Sequence, residues 1–228
     1  MPRQAPLRLG MIASAGGAVL DAMVPPLSGR CEISVVTDRE CGAEEVAARH
    51  GLPCRRIEFR DRTQFSSLAA DHLAGVDGVL LHFSRLVAAE LYAVLPTFSV
   101  HPSLLPAFPG MGAVAAAKRS GVRVLGASLF VVDGSIDGGA ILAQCAMSVQ
   151  PEDTLEDMNN ISYLQKTYLS LLLVESWLDG RLILDDPPGP RIVDLPERSG
   201  VWSPCLDAGP SLTWMRELIT RHRPWVTL

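Results

Sequence analysis

Three side chains combine the types and spacing that acyl-group chemistry needs: His101, Asp137 and Ser99. His101 lies in FSVHPSLLPAFPG (98–110), behind the end of an apolar strand and directly before Pro102. A residue preceding proline is confined to extended backbone, so the ring is carried on a stiff loop. There a histidine can donate a hydrogen bond or move a proton near neutral pH. Ser99, two residues earlier, offers one hydroxyl donor. Asp137 lies in VVDGSIDGGAIL (131–142), followed by two glycines that would let backbone approach a ligand closely, and it could pair with His101 to set the charge of the ring. Asp133, in the same stretch, reads equally as a solvated turn. A third candidate is SAGGAVL (14–20), where Gly16 and Gly17 would let amide groups and a helix N-terminus face an anion; a plain tight turn would use glycine too.

Elements that alternate between short apolar runs and longer amphipathic ones must position these residues. LRLGMIAS (7–14), ISVVTD (33–38), CRRIEF (54–59), GVDGVLLHF (75–83) and FSV (98–100) read as strands. Between them, AVLDAMVPPL reads as a helix stopped by its prolines, and AEEVAARHG (43–51) and LVAAELYAVL (86–95) as further helices. GAVAAAKRSG (112–121) is helical, and VLGASLFVVD and GAILAQCAMSV form an antiparallel pair around GSIDG. A long helix over 154–180 starts at a Thr154 cap with Asp157 three residues on. The fold class is α/β: a doubly wound, mostly parallel but mixed sheet with helices on both faces. Such sheets bind ligands beyond the carboxyl ends of their strands, where His101 and the 14–20 turn lie.

With 228 residues and 48% hydrophobic content, the chain can bury a large core. Rising proline and glycine density from DDPPGP onward divides it into a 1–185 domain and a 186–228 extension. That extension is rich in tryptophan, at Trp202, Trp214 and Trp225, and should dock on the domain or at a subunit interface, which leaves a homodimer open. A net charge of -5 argues against sequence-independent nucleic-acid binding. No run approaches the roughly 20 apolar residues of a membrane span, and five scattered cysteines fit a reducing, cytoplasmic setting. No spacing suggests a metal site, so no metal is expected.

The motifs HPSLLPAFPG (101–110), GASLFVVDGSIDGGAILAQ (126–144) and SWLDGRL (176–182), in this order, resemble the folate-dependent formyltransferases over about residues 7 to 184. The branches nearest in pattern act on glycinamide ribonucleotide or hydrolyse formyl-tetrahydrofolate. The resemblance implies N10-formyl-tetrahydrofolate as co-substrate and a small-molecule amine as acceptor. It places His101 and Asp137 on the family's catalytic pair, and Ser84, Arg85, Leu86 and Val87, with Val132, Asp133, Gly134, Ile136 and Asp137, on the folate pocket. It further assigns Ser14, Gly16, Gly17, His82, Pro102 and Ser103 to the acceptor side, and implies that the Leu105–Pro106 turn is cis. In that chemistry, charge develops on the formyl oxygen as the amine attacks, and the protein must stabilise it.

Five departures from the family pattern qualify what the resemblance implies. Ser99 stands where the family carries asparagine. The turn at 14–19 lacks the polar side chains that end the family's phosphate loop, since Ala18 and Val19 replace them. Thr167 occupies the place of a glutamate that faces the ribose, and His82 that of a glycine, so His82 would either enter the pocket or be buried. Phe130 replaces a second histidine. Most of these changes fall on the acceptor side, so the expected acceptor is an amine other than glycinamide ribonucleotide. Hydrolysis of the formyl folate, and a silent folate- or partner-binding homologue, are the alternatives. Generic nucleotide binding ranks last, because the first loop lacks G-x-G-x-x-G spacing.

Overall fold

The computed structural model describes residues 5–193, 202–203 and 209–222. Seven strands carry the sheet: β1 (Leu7–Ala13), β2 (Cys31–Thr37), β3 (Cys54–Arg56), β4 (Gly78–His82), β5 (Thr97–His101), β6 (Val124–Val131) and β7 (Ile141–Ser148). The helices are α1 (Ala18–Leu27), α2 (Gly42–Arg49), α3 (Arg62–His72), α4 (Ala89–Tyr92), α5 (Ala113–Arg119), α6 (Leu155–Leu178) and α7 (Pro210–His222). A two-residue pair, β8 (Leu182–Ile183) with β9 (Arg191–Ile192), stands apart, and β10 (Trp202–Ser203) adds an eighth strand to the edge beside β7. The sheet order is β10-β7-β6-β5-β4-β1-β2-β3. Strands β3, β2, β1, β4 and β5 run parallel, and β6 and β7 return antiparallel, so the sheet is mixed as the sequence predicts.

Because strand side chains alternate, the sheet has two distinct apolar faces. Leu9, Met11, Val35, Leu80, Phe98, Val100 and Leu129 face α1 and α6, while Ile12, Val36, Val79 and Leu81 pack with Phe65 and Leu91 on the side of α3 and α4. Helix α6 starts from the capping box formed by Thr154 and Asp157, and is buried along most of its length. Helix α7 lays Met215, Leu218 and Ile219 into the same core as α6. Trp225 lies outside the described residues.

Three local expectations change. The prolines do not stop α1, which runs through Pro25 and Pro26 to Leu27: only Leu27 lies beyond the pair, and the N–H of the C-cap residue Ser28 donates to Pro25 O. The 86–95 helix contracts to Ala89–Tyr92, because the residues before it are drawn into a loop held from outside. Helix α3, over Arg62–His72, lies in a stretch whose apolar periodicity is weak; its start is fixed by Asp61, whose side chain accepts from Gln64 N at 2.9 Å.

Candidate active site

Strand β5 ends at His101, and Ser99 and His101 point to the sheet face opposite α6, since the intervening Val100 and preceding Phe98 belong to the α6 core. The 102–112 loop then curls back over the ring. His101 Nε2 donates to the carbonyl of Phe108 at 2.8 Å, and Nδ1 stands 3.3 Å from Asp137 Oδ2 without the alignment of a hydrogen bond. The same Asp137 oxygen accepts from Gly110 N at 2.7 Å. Phe108 and Asp137, the two residues that flank the ring, are also the non-glycine residues with positive φ among the described residues, each at 50°. A phenylalanine in that region carries strain on the order of 1–3 kcal/mol, and such strain persists only where the surroundings enforce it.

Hydrogen bonds as well as prolines enforce it. Ser128, fully buried on β6 opposite His101, donates to Ser103 O at 2.8 Å and accepts from Leu105 N at 3.0 Å. Gln144 on β7 donates to Ser128 Oγ at 2.9 Å and to Leu105 O at 3.1 Å. Leu105–Pro106 is cis, as the resemblance implies. Ser128, Gln144, Phe108 and Gly110 are absent from the candidates read in the sequence. Their only signal there is their place within the two motifs, because a residue that works through its backbone carbonyl or amide leaves no trace in side-chain type.

Ser99 is half-buried, its hydroxyl has no hydrogen-bond partner among the described residues, and Phe130 is its neighbour across the β5–β6 ladder. The face around His101 thus offers one unengaged hydroxyl beside an apolar ring. Gly138 and Gly139 serve the hairpin rather than a ligand: a Cβ on Gly139 would meet Val131 O at 1.8 Å, and one on Gly138 would meet Ser135 Oγ at 2.6 Å.

Two loops rim the same face. In the first, Arg85 Nε donates to the buried Asp38 carboxylate at 2.8 Å, which also takes Arg39 Nη2 at 2.7 Å. Burial would push this carboxyl up, but Arg39 and Arg85 hold it below the usual carboxylate range. The Arg85 guanidinium also lies 4.4 Å over the Phe59 ring. In the second, Asp133 accepts from the Ser135 hydroxyl and from Ser135 N, the latter at 2.7 Å, and in that order these bonds hold this carboxyl below its ordinary value and fix the turn through Gly134. Val87 and Val132 pack half-buried on the α3-side core, while Leu86 and Ile136 are 50% and 61% exposed, one on each loop.

The acceptor-side candidates separate. Ser14 is tied down: its Oγ accepts from Ser84 N at 2.8 Å and bonds Ser84 Oγ at 2.8 Å. Ser103 Oγ is turned into its own loop, donating to Ala107 O at 2.5 Å, and Pro102 follows the ring half-buried. Gly17, at φ 75°, caps α1, and a Cβ there would meet the Ala43 backbone at 2.7 Å, so the 14–17 turn is packed against α2, with Gly16 exposed. His82 turns to the other sheet face and bonds Ser170 of α6 at 3.0 Å, so it joins neither Ser99 nor His101. Among the described residues, no group of three His, Cys, Asp or Glu side chains gathers as a metal site would need, and no helix is long and apolar enough to cross a membrane.

Residues 28–169 match the family model described as formyl transferase. The phosphoribosylglycinamide formyltransferase of Mycobacterium tuberculosis is 34% identical over 170 residues, covering 70% of this chain and 79% of that protein. The Bacillus subtilis protein of the same name is 38% identical over 165 residues, covering 65% and 83%. The crystal structure of glycinamide ribonucleotide transformylase 1 from Symbiobacterium toebii superposes with a TM-score of 0.77 at 29% identity, covering 84% of this chain and 96% of that one.

Proposed function

The chain belongs to the formyl transferase family, a folate-dependent one-carbon transferase, and from that premise we propose that it passes the formyl group of N10-formyl-tetrahydrofolate to an amine other than glycinamide ribonucleotide. The observation that carries this reading is an asymmetry. The face with His101, Asp137 and Ser99 is organised around one ring. On the acceptor side, Ser14 is engaged by Ser84, and His82 at the end of β4 is turned to Ser170 of α6.

In the proposed step the acceptor nitrogen attacks the formyl carbon and the carbonyl π-bond opens onto oxygen. His101 is pinned by the Phe108 carbonyl through Nε2–H, which leaves Nδ1–H to meet the developing oxyanion. Asp137 Oδ2, 3.3 Å from Nδ1 and out of line for a hydrogen bond, leaves that proton to the oxyanion. Ser99 adds a second donor. Collapse breaks the bond from carbon to N10, the acceptor nitrogen loses a proton, and N10 gains one, giving the formamide and tetrahydrofolate. Folate would lie against Leu86, Val87, Val132 and Ile136, with the Ser84–Arg85 and Asp133–Gly134 backbones forming its rim. No metal enters this chemistry.

The test is a transfer assay with purified protein, N10-formyl-tetrahydrofolate and a panel of primary amines that includes glycinamide ribonucleotide. Formation of tetrahydrofolate that depends on an amine other than glycinamide ribonucleotide is the expected result. Preference for glycinamide ribonucleotide overturns the acceptor assignment. Formate release without any amine would identify hydrolysis, and tight folate binding without turnover would identify a silent homologue.

A further inference from the structure

The end of β4 carries a histidine that the chemistry at His101 does not use. His82 is paired with Ala13 of β1, and its carbonyl accepts from Ser14 N at 3.4 Å, so it stands beside the turn that leads into α1. Its Nε2 is 3.0 Å from Ser170 Oγ. Ser170 spends its own hydroxyl proton on Lys166 O, at 2.7 Å. The serine oxygen must therefore accept, and Nε2 carries the proton. Burial, with a smaller push from the Lys166 ammonium, lowers the ring's pKa to about 3, so it is neutral and Nδ1 keeps its lone pair. No described residue donates to that nitrogen. Lys166 is itself half-buried, and burial lowers its pKa.

We propose that His82 is the residue that selects the acceptor: placed between the end of β4 and α6, beside the turn into α1, it takes the space a nucleotide-sized amine would need there and offers Nδ1 to a donor group of a smaller acceptor, remote from the attacking nitrogen. The proposal rests on the reading of this chain as a formyl transferase to an amine. A neutral ring suits this role, since a bare Nδ1 can accept from a donor group of the acceptor. His82 is then a specificity-determining residue, distinct in place and function from the ring on the opposite face.

Two measurements test it, and neither depends on turnover. Nitrogen-15 NMR of the native protein at neutral pH should show His82 protonated at Nε2 and bare at Nδ1; a proton on Nδ1 overturns the proposal. Calorimetry with glycinamide ribonucleotide as probe should find it bound at least about tenfold more tightly by His82→Gly than by the native chain. Affinity for a non-reactive formyl-folate analogue should stay within about twofold. Unchanged affinity for the ribonucleotide, or an equal change in folate affinity, overturns it. Should His82→Gly fail to fold, Ser170→Ala frees the ring instead and should shift ribonucleotide binding in the same direction, by about threefold; no shift again counts against the proposal. Failure of the transferase reading would be seen separately, as no tetrahydrofolate formed with any amine while both of these measurements still give their answers.

Discussion

His82 and His101 end neighbouring strands of one sheet, yet their surroundings differ in every respect that governs chemistry. His101 lies between a carbonyl and a carboxylate, under a loop held by Ser128 and Gln144. His82 faces a serine and a lysine on a buried helix. Acceptors flank the first ring, whereas burial and the Lys166 ammonium around the second stabilise its neutral form. Opposite faces of one sheet thus give the same residue type different surroundings at neighbouring strand ends.

The comparison is broken most severely by removing the first ring. His101→Ala should lower turnover by about a thousandfold while a formyl-folate analogue still binds in calorimetry, since proton donation to the oxyanion is lost and the pocket is not. Intact turnover would mean that the chemistry belongs elsewhere. Asp137→Asn is a sharper cut, because asparagine tolerates positive φ and its amide oxygen can still accept from Gly110. Here kcat should fall by about a hundredfold with little change in KM for folate, read in steady-state kinetics. Ser99→Ala should lower kcat by about tenfold, and Ser99→Asn should retain or raise it; equal rates in all three proteins would remove Ser99 from the site.

The second ring supplies an effect of another kind, in stability. An unfolded histidine gains its proton near pH 6.5 and His82 only near 3, so between those values the unfolded chain binds more protons. This contribution is complete above pH 6.5 and falls as the pH drops, by up to about 1.4 kcal/mol per unit. Urea unfolding of the native protein between pH 7 and 4 should therefore show a steeper loss than His82→Gln. Parallel slopes would mean that the His82 ring is hydrated and that the contrast between the two histidines is only one of position.

Much of the fold was legible because it rests on local rules. Alternating apolar runs gave the strands, the Thr154–Asp157 box marked the start of the long helix, and the turn-rich GSIDG stretch marked the antiparallel pair. Helix α3 escaped because Phe65, Leu68 and Ala69 make too narrow an apolar stripe to stand out, and Leu68 is 45% exposed. The 86–95 stretch has helical periodicity throughout, but Ser14 and Asp38 hold Ser84 and Arg85 in a loop, and tertiary anchors override a weak local preference. At the site, the stiffness of the His101 loop was readable from its prolines, but the carbonyl and amide that grip the ring and its aspartate were not.

The sequence by itself determined the family and the α/β order of elements, because both are written in motif spacing and hydrophobic period. It also put a histidine at the end of each of two strands. Only the tertiary structure decided what each histidine meets. The antiparallel return of β6 and β7 brings Asp137 back beside His101, and the passage of α6 under the opposite face brings Ser170 and Lys166 to His82. A ring's charge depends on neighbours many residues away in the chain, and no local pattern encodes them.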